Sequence, residues 1–75
     1  MTPDQLRTAL KELNGERECT FAFSGMPEHE SHLLVSRAIL IPVEADQLVK
    51  VTDGKNVYIV DASRVAYIRI GLKAN

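Results

Sequence analysis

The sequence predicts a mainly β domain: a small, bent, five-stranded antiparallel barrel preceded by one N-terminal α-helix. Three observations carry this reading. The chain opens on a capped amphipathic segment, continues as short runs of β-type composition divided by turn residues, and contains one Asp-Gly pair set between two apolar strands. At 75 residues there is room for a single domain spanning residues 1–75, with 45% apolar and 25% charged residues, a globular balance.

The helix is read over about residues 2–14. Thr2 can act as N-cap, Pro3 suits the first helical position because its missing N–H would be unpaired anyway, and Gln5 stands where a capping box needs it. Leu6, Ala9, Leu10 and Leu13 recur at helical spacing, and Asn14-Gly15 supplies a left-handed stop. Five strands are then expected over about residues 18–71. The first is Cys19 to Phe23, with Phe21 and Phe23 on one face. Ser24-Gly25-Met26-Pro27 breaks it, and Glu28 to Ser31 forms a polar link. From His32 to Ile41 both alternating rows carry apolar residues, the pattern of a long central strand that bends and packs one way early and another way late. Pro42 ends it. The third strand, Gln47 to Thr52, and the fourth, Lys55 to Val60, are joined at Asp53-Gly54 by an expected two-residue type I′ hairpin, which pairs Lys55 with Thr52 and Val57 with Lys50. A corner at Asp61 to Arg64 leads into the last strand, Val65 to Ile70. The expected core is Leu6, Leu10, Leu13, Phe21, Phe23, Leu34, Ile39, Val49, Val51, Ile59, Val65 and Ile68.

Composition limits function. Nine Lys and Arg against ten Asp and Glu give a net charge of −1, which lacks the basic signature of most nucleic-acid binders. A single cysteine, Cys19, excludes an internal disulfide, and its neighbours offer only Arg17 to activate the thiol. The glycines are isolated, so there is no phosphate-cradling loop. Glu28-His29-Glu30-Ser31-His32 holds zinc-type ligands, but the spacing falls one residue short of the helical His-Glu-x-x-His arrangement and lies on a loop. Asp46, Asp53 and Asp61 lie at turns, where a carboxylate caps backbone N–H groups. No enzyme, metal or cofactor is expected. No apolar run approaches the ~20 residues of a membrane span, and the start lacks a basic lead, so a cytoplasmic protein is expected with no membrane partner.

The order of elements, together with two sequence stretches, resembles the Sm-like family of small SH3-like barrels, and its bacterial Hfq branch in particular. Asp46-Gln47-Leu48-Val49 is similar to the segment that opens the third Hfq strand. Val57 to Ile68 is similar to the second Sm motif, an apolar strand, a tight corner and a second apolar strand, with Val60, Val65 and Ile68 on its apolar positions. The resemblance implies a ring in which the corner residues Asp61, Ser63 and Arg64, with Asp46 and Gln47, line the inner rim and touch RNA. It also implies an oligomer interface on the last two strands, at Val60, Tyr67 and Ile68, in a homo-oligomer of five to seven subunits, with a dimer as the other expectation.

The corner departs from the family pattern. Where Hfq reads Tyr-Lys-His, and archaeal and eukaryotic members read Arg-Gly, this chain reads Asp61-Ala62-Ser63, an acid in place of a base or an aromatic. The expected function is therefore a homo-oligomeric structural or protein-interaction module, with an Hfq-like RNA-binding ring as the alternative. The strand edges agree with self-association: neither of the last two strands carries Pro or Gly to blunt an edge.

Overall fold

The computed structural model describes residues 1–73. It is mainly β, with one N-terminal helix and two small antiparallel sheets. Helix α1 spans Pro3–Leu10 and starts as the sequence requires, for the Thr2 hydroxyl accepts from the Gln5 N–H at 3.1 Å while the Gln5 side chain accepts from the Thr2 N–H at 3.0 Å. It buries Leu6 and Leu10 completely. The helix ends four residues before the expected Asn14. Leu13 still packs inward, but its N–H bonds to the Leu10 carbonyl, Asn14 bridges to Ile39, and Gly15 at φ +88° donates to the Ala38 carbonyl. Sheet contacts thus take over the backbone groups that another helical turn would have used.

Six strands follow: β1 (Cys19–Phe23), β2 (His32–Val35), β3 (Ile39–Leu40), β4 (Val49–Thr52), β5 (Val57–Val60) and β6 (Val65–Ile70). They form sheets of order β2-β1-β6 and β3-β4-β5, antiparallel throughout. The fourth and fifth strands expected from the sequence are β5 and β6. The expected single strand from His32 to Ile41 is two strands, because a turn at Ser36-Arg37, with Arg37 at φ +50°, separates them. Its two apolar rows serve different sheets, and Val35 and Ala38 both reach the core. Counting β2 and β3 as successive pieces of one run, the strands follow the path β6-β1-β2/β3-β4-β5. Its outer members, β5 and β6, share no ladder among the described residues, so the sheets are not closed by hydrogen bonds into a barrel.

The Asp53-Gly54 turn differs from the expected two-residue type I′ hairpin. Thr52 pairs with Val57 and Lys50 with Ile59, a slip of two residues, across a four-residue loop from Asp53 to Asn56. One carboxylate oxygen of Asp53 accepts from both the Lys55 and Asn56 N–H groups at 2.8 Å, and the Thr52 hydroxyl accepts from Gly54 at 3.0 Å. These local bonds let polar Lys55 and Asn56 stay in the loop and match Val57 with Thr52. Of the pair, only Gly54 has positive φ.

The core lies between helix and sheets and is formed by Leu6, Leu10, Leu13, Cys19, Phe21, Val35, Ala38, Val49, Val51, Val60, Ala62 and Val65, with Phe23 and Ile68 packed at its border. Leu34, Ile39 and Ile59, expected inside, are exposed. Strand parity explains it. Leu34 alternates with the inward Leu33 and Val35, Ile39 pairs with Thr52 on the outer face, and Ile59 sits opposite Lys50. Among the described residues no helix is long and apolar enough to cross a membrane.

Candidate interaction surface

The features that the sequence singled out converge where β5 runs through the corner into β6. Both strands pair on one side only, β5 with β4 and β6 with β1, so each presents a row of unpaired backbone groups among the described residues. The corner itself is a short 3₁₀ turn, Ala62–Arg64, with Asp61 as its N-cap. One Asp61 carboxylate oxygen accepts from the Ser63 N–H at 3.0 Å and from the Ser63 hydroxyl at 2.6 Å. The Ser63 hydroxyl bond, and then the Ser63 N–H, hold the carboxyl below the ordinary carboxylate range. Arg64 lies 3.7 Å from the other oxygen, with both side chains well exposed.

Facing the corner is the loop before β4. Lys50 spans two acids, Glu44 at 2.6 Å and Asp46 at 2.7 Å, and Asp46 also accepts from the Leu48 N–H at 3.1 Å. The Lys50 ammonium is the first cause that lowers the Asp46 carboxyl, and the Asp46 carboxylate the first that raises Lys50. Arg7 of the helix donates to the carbonyls of Gln47 and Leu48, which pins Gln47 in the left-handed region at φ +59°. Between loop and corner lies an open groove of about 310 Å³, lined among others by Pro3, Gln47, Leu48, Ile59, Asp61 and Ser63.

Three of the five rim residues expected from the sequence, Gln47, Asp61 and Ser63, thus line one groove. Asp46 and Arg64 adjoin its lining residues in the chain and are not themselves on its wall. Among the described residues, the only charged side chain on that wall is the carboxylate of Asp61. Of the three interface residues, Val60 is buried inside its own chain, Ile68 is half-buried against the core, and Tyr67 is 52% exposed.

Tyr67 is held in place from β2. The Ser31 hydroxyl donates its one proton to the Glu28 carbonyl at 2.8 Å, so it accepts from His32 Nδ1 at 2.9 Å. That leaves His32 Nε2 to accept from the Tyr67 hydroxyl at 3.3 Å. His29 points elsewhere, 3.7 Å from Glu30 on an exposed 3₁₀ turn, and no cluster of metal-ligating side chains forms among the described residues.

The surface residues that sequence reasoning missed are Val57 and Ile59, which stand outward on β5 at 57% and 61% exposure. The signal was available in the alternation of Val49 and Val51 with Lys50 and Thr52. Any register that keeps the strand faces puts Ile59 on the side of Lys50, away from the two valines. Comparison with protein-family models, curated proteins and solved structures returns no match.

Proposed function

We propose that this chain acts as a homo-oligomeric structural or protein-interaction module of Sm-like type, assembled through the free edges of β5 and β6. The observation that carries the reading is the pair of open edges flanked by outward Val57, Ile59 and Tyr67. A monomer normally blunts such an edge with proline, a bulge or an inward charge. On β6 one residue, Ala66, is left over between the Ala22–Tyr67 and Phe23–Val65 pairs; on β5 the ladder is regular. The small size of the domain agrees with this reading, since a domain of this size buries only about 60% of its unfolded surface and gains stability from a partner.

The alternative, an Hfq-like RNA-binding ring, draws on the resemblance and on the groove that gathers Gln47, Asp61 and Ser63. Against it, among the described residues the side chains lining the groove offer a phosphate a carboxylate and no cation. Fluorescence anisotropy with U-rich and A-rich oligonucleotides at low salt separates the two readings. The module reading expects no binding at micromolar protein and a purified protein free of nucleic acid by its 260/280 absorbance ratio. Saturable binding at that concentration would favour the ring.

A further inference from the structure

We infer that Asn14-Gly15, just past the end of α1, is a site of self-modification gated by the fold: when this segment opens, the Asn14 amide cyclises onto the Gly15 nitrogen, and the product loses the contacts that tie the helix exit to β3. The chemistry is least hindered at an Asn-Gly pair, because glycine has no side chain to shield its nitrogen. The Gly15 nitrogen attacks Cγ of Asn14. A C–N bond forms, the Cγ–Nδ2 bond breaks, and ammonia leaves with the proton that the Gly15 nitrogen carried. Water then opens the five-membered imide at either of its carbonyls. One product has an aspartate at this position; the other routes the main chain through the former side-chain carbonyl and is one methylene longer in the backbone.

The site is exposed but held. Water reaches the Asn14 side chain. In the closed structure, however, the Gly15 N–H donates to the Ala38 carbonyl at 3.0 Å, Asn14 bridges to Ile39, and the Asn14 side-chain oxygen accepts from the Glu16 N–H at 3.2 Å. A nitrogen that gives its proton to a carbonyl is a poor nucleophile, and the amide must leave Glu16 to meet it. The Ile39 side chain closes the other side, so near that a Cβ on Gly15 would stand 3.1 Å from its end. What holds the gate is slight: β3 is two residues long, with β4 on one side and this isolated bridge on the other. Segments tied by so few bonds open well before the whole molecule unfolds.

Closing again is harder once the bond has changed. The Asn14 amide nitrogen lies 3.4 Å from a Glu16 carboxylate oxygen, and both products put a carboxylate where that donor was. Like charges then face each other across the turn. In the longer product the added methylene also carries the Gly15 N–H out of step with the Ala38 carbonyl. The two related pairs in the chain are guarded. Asp53-Gly54 presents a carboxylate that accepts from the Lys55 and Asn56 N–H groups and from the Tyr58 hydroxyl, and an ionised carboxyl is not attacked. Asn56 is followed by Val57, whose branched side chain shields the nitrogen.

Peptide mapping by mass reads the site directly. Trypsin, which cuts after Lys11, Arg17, Lys55 and Arg64, releases Glu12 to Arg17 and Asn56 to Arg64 as separate peptides. The purified chain is incubated at mildly alkaline pH, once in buffer and once in urea that unfolds it. The expected result is that Glu12 to Arg17 gains the mass that turns an amide into a carboxyl, more slowly in the folded chain by about tenfold or more, while Asn56 to Arg64 stays unchanged in both. Equal rates in the two samples would remove the gate, and an unmodified Glu12 to Arg17 peptide in urea would remove the site. The consequence is read on Asn14→Asp, which is the shorter product made directly. Its denaturant midpoint is expected to fall below that of the wild-type chain, and an unchanged midpoint overturns the claim that modification loosens the helix exit.

Discussion

Cys19 opens the central strand β1, paired with Val35 on one side and Ile70 on the other, and no solvent reaches it. Desolvation raises its thiol to about 11, because a thiolate there would lose its hydration with no cation in return. Native protein at pH 8 is therefore expected to resist a thiol reagent that labels it at once in denaturant. Rapid labelling of the folded chain would place Cys19 at the surface. The acidic residues at the turns behave oppositely. Asp46, Asp53 and Asp61 are each held below the ordinary carboxylate range by hydrogen bonds, to Lys50 first for Asp46, to the Asn56 N–H for Asp53 and to Ser63 for Asp61. A carboxyl whose folded pKa lies below its unfolded one stabilises the fold above the unfolded value and loses that contribution as pH falls through the folded value. Denaturant midpoints are expected to be level near neutrality and to drop below about pH 4, the region where free carboxylates titrate. Asp46 and Asp61 are exposed and Asp53 is half-buried, so added salt is expected to shrink the part of the drop that comes from Asp46 and Lys50. A midpoint that rises on acidification would contradict these assignments.

At the scale of elements, the helix start, the capping box and the run from Cys19 to Phe23 were legible because each rests on contacts within a few residues. What could not be read depended on partners far along the chain. The helix stops at Leu10 since Asn14 and Gly15 are claimed by Ile39 and Ala38, more than twenty residues away. Ser36-Arg37 becomes a turn because Ala38 donates to the Arg17 carbonyl, and nothing local marks Arg37 for positive φ. At Asp53-Gly54 the hairpin was anticipated and its loop length was not, for the Asp53 carboxylate competes for the Lys55 and Asn56 N–H groups. The two-residue slip kept every side chain on its face, so the error left the strand faces intact. The groove was legible in part: the sequence marked Gln47, Asp61 and Ser63, but Pro3, Leu48 and Ile59 join them only through the packing of helix, loop and β5. One element depends on a single glycine. Gly15 lies at φ +88°, and a Cβ there would stand 3.1 Å from the end of the Ile39 side chain. Gly15→Ala is expected to cost about 1–2 kcal/mol, chiefly from the left-handed backbone, measured as a lower denaturant midpoint at unchanged slope. An unchanged midpoint would mean that the helix exit is free to rearrange.

For the whole molecule, the arrangement of strands is what the proposed self-association rests on. The path from β6 through β1 and β4 to β5 leaves two outer strands, and the same residues that cannot be covered from within, Val57, Ile59 and Tyr67, lie along them. Burying them against another copy adds apolar contact at about 25 cal/mol per Å² and supplies partners for the edge N–H and C=O groups. In the proposed oligomer, stability would depend on protein concentration, because only the assembled form would bury these strands. The measurement that tests this most directly is the native mass of the purified chain by light scattering over a dilution series in the micromolar range. The account predicts a mass that is a whole multiple of 8.3 kDa, held constant until dilution dissociates it. A mass of 8.3 kDa throughout the micromolar range would contradict it.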